Sequence, residues 1–135
     1  MDIITPVFCL VILTFIMAFA TGISRIISVR RKDINPKYYI FMSGDTPPDY
    51  VQKLSRNFAN LLETPILFYL LVVLVITLEI DSALMVKLAW LYVFFRLVHS
   101  AIHISYNQVI HRFIAFLLSM LTLLAMWIQF MMLVQ

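Results

Sequence analysis

The sequence predicts an all-α integral membrane protein, a bundle of four spanning helices forming one domain over residues 1–135. Three observations predict it. Of the 135 residues, 63% are hydrophobic and 13% are charged, against about 45–50% apolar and about 25% charged in a soluble domain. A soluble chain of this length cannot hide that much apolar surface, so its solvent is lipid. Four apolar stretches are each long enough to cross a hydrocarbon core of about 30 Å, and most of the positive charge lies in one polar segment between the first two.

The first span is expected over about residues 3–26. Its run IITPVFCLVILTFIMAFATGIS, residues 3–24, carries no charge and extends about 33 Å as a helix. No basic leader precedes it and it is long for a signal peptide, so a retained span is expected. Pro6 stands near its start, where proline is tolerated. The lone cysteine, Cys9, lies inside this run, so no disulfide can form within the chain.

A long polar loop follows over residues 27–55. Arg25, Arg30, Arg31, Lys32, Lys37, Lys53 and Arg56 are seven of the ten basic residues, set against Asp33, Asp45 and Asp49. Asn35-Pro36, Gly44-Asp45 and Pro47-Pro48 are turn signals. The positive-inside rule makes this loop cytoplasmic and both termini non-cytoplasmic, and setting topology is the plain role of Arg30, Arg31 and Lys32. The second span is expected over about 56–78 and the third over about 83–106, with Glu79 and Asp81 between them. A tight turn, SYNQVIH, leads into a fourth span over about 111–133. Small size and the lack of a retention signal favour a bacterial inner membrane over an internal eukaryotic one.

Polar residues inside these spans are the functional signal, because an unpaired charge in hydrocarbon costs a few kcal/mol or more. In RNFANLLETP, Arg56, Asn60 and Glu63 recur at i, i+4 and i+7, which puts them on one helical face. Glu63 lies about 10 Å deeper than Arg56. Pro65 removes a helical hydrogen bond and can bend the helix beside the stripe. The third span offers RLVHSAIH, with Arg96, His99 and His103 at i, i+3 and i+7. Arg96 lies at a depth comparable with Glu63, so the two are expected to pair. Arg112 opens the fourth span at the same interface. A purely structural network is one reading of this set; the excess of positive charge favours an anionic ligand approached from the cytoplasm.

Other chemistries fit less well. His99 and His103 are spaced to chelate, but only one carboxylate is near and several arginines oppose a cation, so no metal is expected. Cys9 sits on the far half of the first span, away from any base. With two glycines in the chain there is no glycine-rich phosphate loop, and no nucleic acid partner is expected.

The pattern resembles the MAPEG proteins, membrane-associated proteins in eicosanoid and glutathione metabolism. That family has four spans, a long loop after the first, a second-span motif close to Arg-x-x-x-Asn-x-x-Glu-x-x-Pro, and Arg-x-x-His-x-x-x-Tyr in the third span followed by an arginine at the start of the fourth. Arg56, Asn60, Glu63, Arg96, His99 and Arg112 match it in register, and Pro65 falls close by. The resemblance implies a homotrimer with cytoplasm-facing sites between subunits, in which glutathione is the co-substrate. It implies that Arg56, Asn60, Glu63, Arg96 and His99 bind or support glutathione, with Arg25 the nearest equivalent of a first-span arginine. Arg112 would stabilise the thiolate. The family tyrosine falls on His103, and Tyr106, three residues on, is its possible substitute. Phe113 stands where some prostaglandin-forming members carry serine, so that isomerase activity is not expected.

The resulting expectation is a glutathione-dependent transferase or peroxidase acting on small hydrophobic electrophiles or lipid hydroperoxides, which reach the site through membrane lipid. The alternative is a non-catalytic lipid-binding or scaffold member that keeps the polar network for folding and trimer specificity. An anion carrier is disfavoured, because the polar stripe stops halfway through the membrane.

Overall fold

In the computed structural model, which describes residues 2–135, the Asp2 carboxylate accepts hydrogen bonds from the amides of Ile4 (3.0 Å) and Thr5 (3.1 Å) and from the Thr5 hydroxyl. This satisfies donors that a helix start leaves open. Helix α1 then runs over Ile4–Arg30, one turn beyond the expected end of the first span, because helical hydrogen bonding continues past the apolar run. Its buried stripe is Pro6, Leu10, Met17, Thr21, Ser24 and Ser28. The stripe changes from apolar to small and polar toward Arg30, and small residues let neighbouring helices approach closely.

The polar segment after α1 is not all loop. It holds a single turn, α2 (Tyr38–Phe41), closed by Met42 at a left-handed φ of 53°. The segment is tied down by the buried side chain of Ile34, by a 2.7 Å hydrogen bond between the Ser28 and Tyr39 hydroxyls, and by the Tyr50 hydroxyl donating to Asp33 at 3.0 Å.

The second span begins earlier than expected. Helix α3 covers Asp49–Glu63, with Pro48 at its cap and Asp49 in its first turn, where a negative charge suits the helix dipole. Residues 49–55 are too polar to read as membrane span, yet they form two helical turns on which Arg56 stands. The helix is interrupted at Thr64 and Pro65 and resumes as α4, Ile66–Thr77. Proline offers no amide hydrogen to continue the ladder. The last regular turn is held by the Thr64 amide (3.1 Å) and hydroxyl (2.7 Å), both donating to the Asn60 carbonyl.

Helix α5, Ala83–Ile104, starts on Ser82, whose hydroxyl accepts from the Met85 amide. It ends two residues before the expected limit, and α6 runs over Val109–Val134. The turn between them needs Asn107 at φ 52°, a left-handed conformation that asparagine tolerates better than most residues. Lys53 donates to the Ser105 carbonyl at 2.8 Å, fastening this turn to α3.

Helix α5 is the centre of the bundle, packed against α1, α3 and α6, and α4 also meets α6. The core is Leu10, Leu61, Phe68, Leu71, Met85, Tyr92, Val93 and Met126, with the Phe68 and Tyr92 rings stacked at 4.6 Å. Phe15, Phe19, Leu67, Phe94 and Leu121 point outward. Four helices, Ile4–Arg30, Asp49–Thr77, Ala83–Ile104 and Val109–Val134, are long and apolar enough to cross a membrane. Among the described residues there are no strands. The expected all-α four-span membrane architecture is the observed one.

Candidate functional site

The α3 stripe divides once the helix is packed. Asn57 and Leu61 are the residues that α3 buries in this stretch. At about 100° per residue, Asn60 turns roughly 80° away from that buried direction, Arg56 about 120° and Glu63 about 140°. Asn60 is therefore half-buried, while Arg56 and Glu63 are exposed on the flank of the protomer.

Arg96 on α5 is fully buried. One of its terminal nitrogens donates to the Asn60 side-chain oxygen at 2.6 Å and to the Asn60 carbonyl at 3.3 Å. The expected Glu63–Arg96 ion pair does not form within the protomer. The reason is angular: Glu63 lies at a suitable depth but looks away from α5, and the neutral Asn60, one turn nearer the loop end, takes the arginine. Two guanidinium nitrogens of Arg96 find no partner among the described residues, so a buried cation stands here without a carboxylate.

His99 and His103 are buried on the same face of α5, with ring centroids 5.8 Å apart. The Nδ1 of His99 lies 3.0 Å from the Arg112 carbonyl. A carbonyl only accepts, so Nδ1 carries the hydrogen, and Nε2 has no partner among the described residues. Arg112 itself is half-buried and donates to the Asn107 side chain at 2.7 Å. Asn107 thus shapes the turn and also orients the arginine.

Two openings meet at this end of the bundle. The larger, about 470 Å³, lies under the polar segment and is lined by Arg25, Tyr38, Tyr39, Gln52 and Arg56 among others. Arg25 sits half-buried with its guanidinium carbon 5.7 Å from the centre of the Tyr39 ring, a cation–π distance. The smaller, about 170 Å³, is lined by Asp49, Gln52, Lys53, Arg56, His103 and Asn107. Gln52 and Arg56 belong to both, so Arg56 stands at the junction. Cations outnumber carboxylates on these walls, and the arrangement suits an anion held by forked guanidinium donors.

Tyr106 is elsewhere. It is exposed, with its hydroxyl 3.1 Å from His111 Nδ1, and it lines an apolar groove of about 370 Å³ between α5 and α6 with Phe94, Val98 and Ile102. Of the two candidates for the tyrosine role, His103 is the one that reaches the polar cleft. The structure brings Arg25, Arg56 and His103 around two openings that share Gln52 and Arg56 as walls, joins Asn60 to Arg96, and joins His99 to the start of α6; it leaves Glu63 and Tyr106 outside these groups.

Sequence reasoning missed Asn57 and Ser100. The Ser100 hydroxyl donates to the Asn57 side-chain oxygen at 3.0 Å, both residues being buried between α3 and α5. The available signal was their position: Ser100 falls one turn after Arg96, and Asn57 one turn before Leu61. Gln52 and Asn107 were missed for lack of any motif.

A model of the MAPEG family matches residues 3–132, nearly the whole chain. No curated protein and no solved structure gives a match. The chain belongs to the MAPEG family.

Proposed function

We propose that this MAPEG family member binds glutathione at the loop end of the bundle and uses it as a transferase or peroxidase on small hydrophobic electrophiles or lipid hydroperoxides. The observation that carries this reading is the convergence of Arg25 and Arg56 on a cavity of about 470 Å³, with a cleft to His103 beside it. Glutathione carries two carboxylates, which guanidinium forks hold well. Its α-amino group needs a carboxylate, and Glu63 offers one, exposed and without a partner among the described residues. A homotrimer would bring a neighbouring subunit against that flank and complete the site between copies.

In this reading, the glutathione thiol gives its proton to water in the cleft, from which the leaving group or the alkoxide later takes one back, and the Arg112 cation lowers the pKa enough for thiolate to form. The thiolate sulfur attacks the electrophilic carbon and the leaving group departs with the electron pair. With a hydroperoxide, the sulfur attacks the distal oxygen, the alcohol leaves, and a second glutathione converts the sulfenic product to disulfide and water. His103 assists from the cleft, and His99 fixes the start of α6 that carries Arg112. The apolar acceptor enters from the bilayer, and the loop end faces the cytoplasm of a bacterial cell. Arg112→Ala is expected to lower conjugation of a chlorinated nitrobenzene by roughly a hundredfold while the assembly survives. Unchanged turnover in that variant removes the role assigned to Arg112.

A scaffold reading draws on a different observation. Arg96 is sealed in the protomer and bonded to Asn60, and neither it nor Glu63 lines an opening described above. Under that reading Glu63→Gln and Arg96→Leu disrupt assembly and no thiol chemistry is present to lose. Intact assemblies from both variants count against it.

A further inference from the structure

We propose that the segment following α1 is a docking surface for the anionic lipid headgroups of the adjoining leaflet, with Ile40 and Phe41 inserted among them. The inference is independent of the glutathione reading. Its first support is level. The uncharged run of residues 3–24 spans about 33 Å, enough for the hydrocarbon core of about 30 Å. Arg25–Arg30 therefore emerge at the headgroups, and α2 follows a few residues later.

The second support is exposure. Phe41 is 82% and Ile40 67% exposed, although the segment is held in place from beneath by Ile34, Tyr39 and Tyr50. An ordered turn that keeps a phenylalanine and an isoleucine outside its own core has them available for another apolar phase. The third support is charge. Arg30, Arg31, Lys32 and Lys37 are all exposed, and none donates a side-chain hydrogen bond among the described residues. The nearby carboxylates are turned to internal work: Asp33 accepts from Tyr50, and Asp45 from the Asn35 and Thr46 amides. Four exposed cations beside two exposed apolar side chains at headgroup level fit an anionic leaflet better than a neutral one. Each such cation favours the docked state about fivefold near an anionic surface. Tyr38 and Tyr39 of the same turn line the Arg25 cavity, so docking also fixes that cavity's roof.

The test places an environment-sensitive fluorophore at Phe41→Cys in a Cys9→Ser background of the full chain. The labelled protein is reconstituted in vesicles of phosphatidylcholine, alone or with a minority of phosphatidylglycerol. The expected result is blue-shifted emission, quenched by nitroxide-bearing lipid, in the phosphatidylglycerol vesicles, and water-like emission in pure phosphatidylcholine. Molar salt should reverse the shift, since it shortens the screening length to about 3 Å. Replacing Arg30, Arg31, Lys32 and Lys37 by glutamine should abolish the lipid dependence. The salt titration needs no charge variant, so it decides the matter even if that variant inserts poorly. Water-like emission in both membranes overturns the proposal. Blue-shifted emission that ignores phosphatidylglycerol and salt also overturns it, and blue-shifted emission that nitroxide-bearing lipid does not quench overturns it by assigning the cover to another copy of the chain.

Discussion

Replacing Asn60 by alanine removes the only side-chain acceptor among the described residues that reaches the Arg96 guanidinium. Neutral hydrogen bonds between membrane helices average about 0.6 kcal/mol and reach about 1.7, because the unfolded chain in lipid also finds partners. Here the donor is charged, and bonds to charged groups are worth about 1.5–3 kcal/mol. The donor is also fully buried, and the Asn60 carbonyl at 3.3 Å is a poor replacement. Asn60→Ala should therefore destabilise the protomer by about 2 kcal/mol. Arg96→Leu removes the buried charge together with its desolvation penalty and should cost less than breaking the contact from the asparagine side. In the Arg96→Leu background, Asn60→Ala should be nearly silent, a coupling of about 2 kcal/mol. The assay is a double-mutant cycle on reversible unfolding in mixed micelles, followed by helical circular dichroism. Coupling below about 0.5 kcal/mol means the two sites act independently and refutes the contact. A larger coupling between Glu63→Gln and Arg96→Leu than between Asn60→Ala and Arg96→Leu would restore the ion pair that the protomer lacks.

Three further pairs of substitutions separate roles that lie close together. Both Asn107→Gly and Asn107→Ala lose the bond to Arg112, but glycine suits the left-handed φ whereas alanine keeps a β-carbon there without asparagine's tolerance for it; the alanine variant should be less stable than the glycine variant by about 1 kcal/mol in the same unfolding assay. Ser100→Ala strands the buried Asn57 oxygen and should lose about 1–2 kcal/mol, most of which returns when Asn57→Leu is added. Tyr106→Phe should leave glutathione turnover unchanged, because that hydroxyl is engaged with His111 outside the cleft, while His103→Phe should reduce it; measuring both initial rates decides which residue occupies the tyrosine role.

The four spans were legible because hydrophobic length is a property of the sequence alone, and lipid imposes it helix by helix. The start of α3 was not, since Asp49–Ser55 is amphipathic and reads as loop until its buried face is known. Arg56, Asn60 and Glu63 do share a flank, as their spacing requires. Periodicity says nothing of how far that flank is rotated from the neighbouring helix, and the rotation is what gives Arg96 to Asn60 and turns Glu63 outward. Depth alone made Glu63 and Arg96 look paired. The Arg25 cavity was invisible because its roof comes from a loop whose single helical turn and tyrosine contacts carry no periodic signal. Tyr106 shows the same limit: three residues from His103 along α5, and the break in the helix after Ile104, send it to the other side of the α5–α6 pair.

We propose above all a glutathione site at the loop end of the bundle. Its most direct test is a titration of the purified detergent-solubilised protein with glutathione, following thiolate absorbance at about 240 nm together with binding heat, since a thiol of lowered pKa is the property at issue. The expected result is saturable heat with matching thiolate formation, and loss of the absorbance in Arg112→Ala with binding retained. No heat and no thiolate at millimolar glutathione would contradict it and leave the arginine cluster to structure or to another anion.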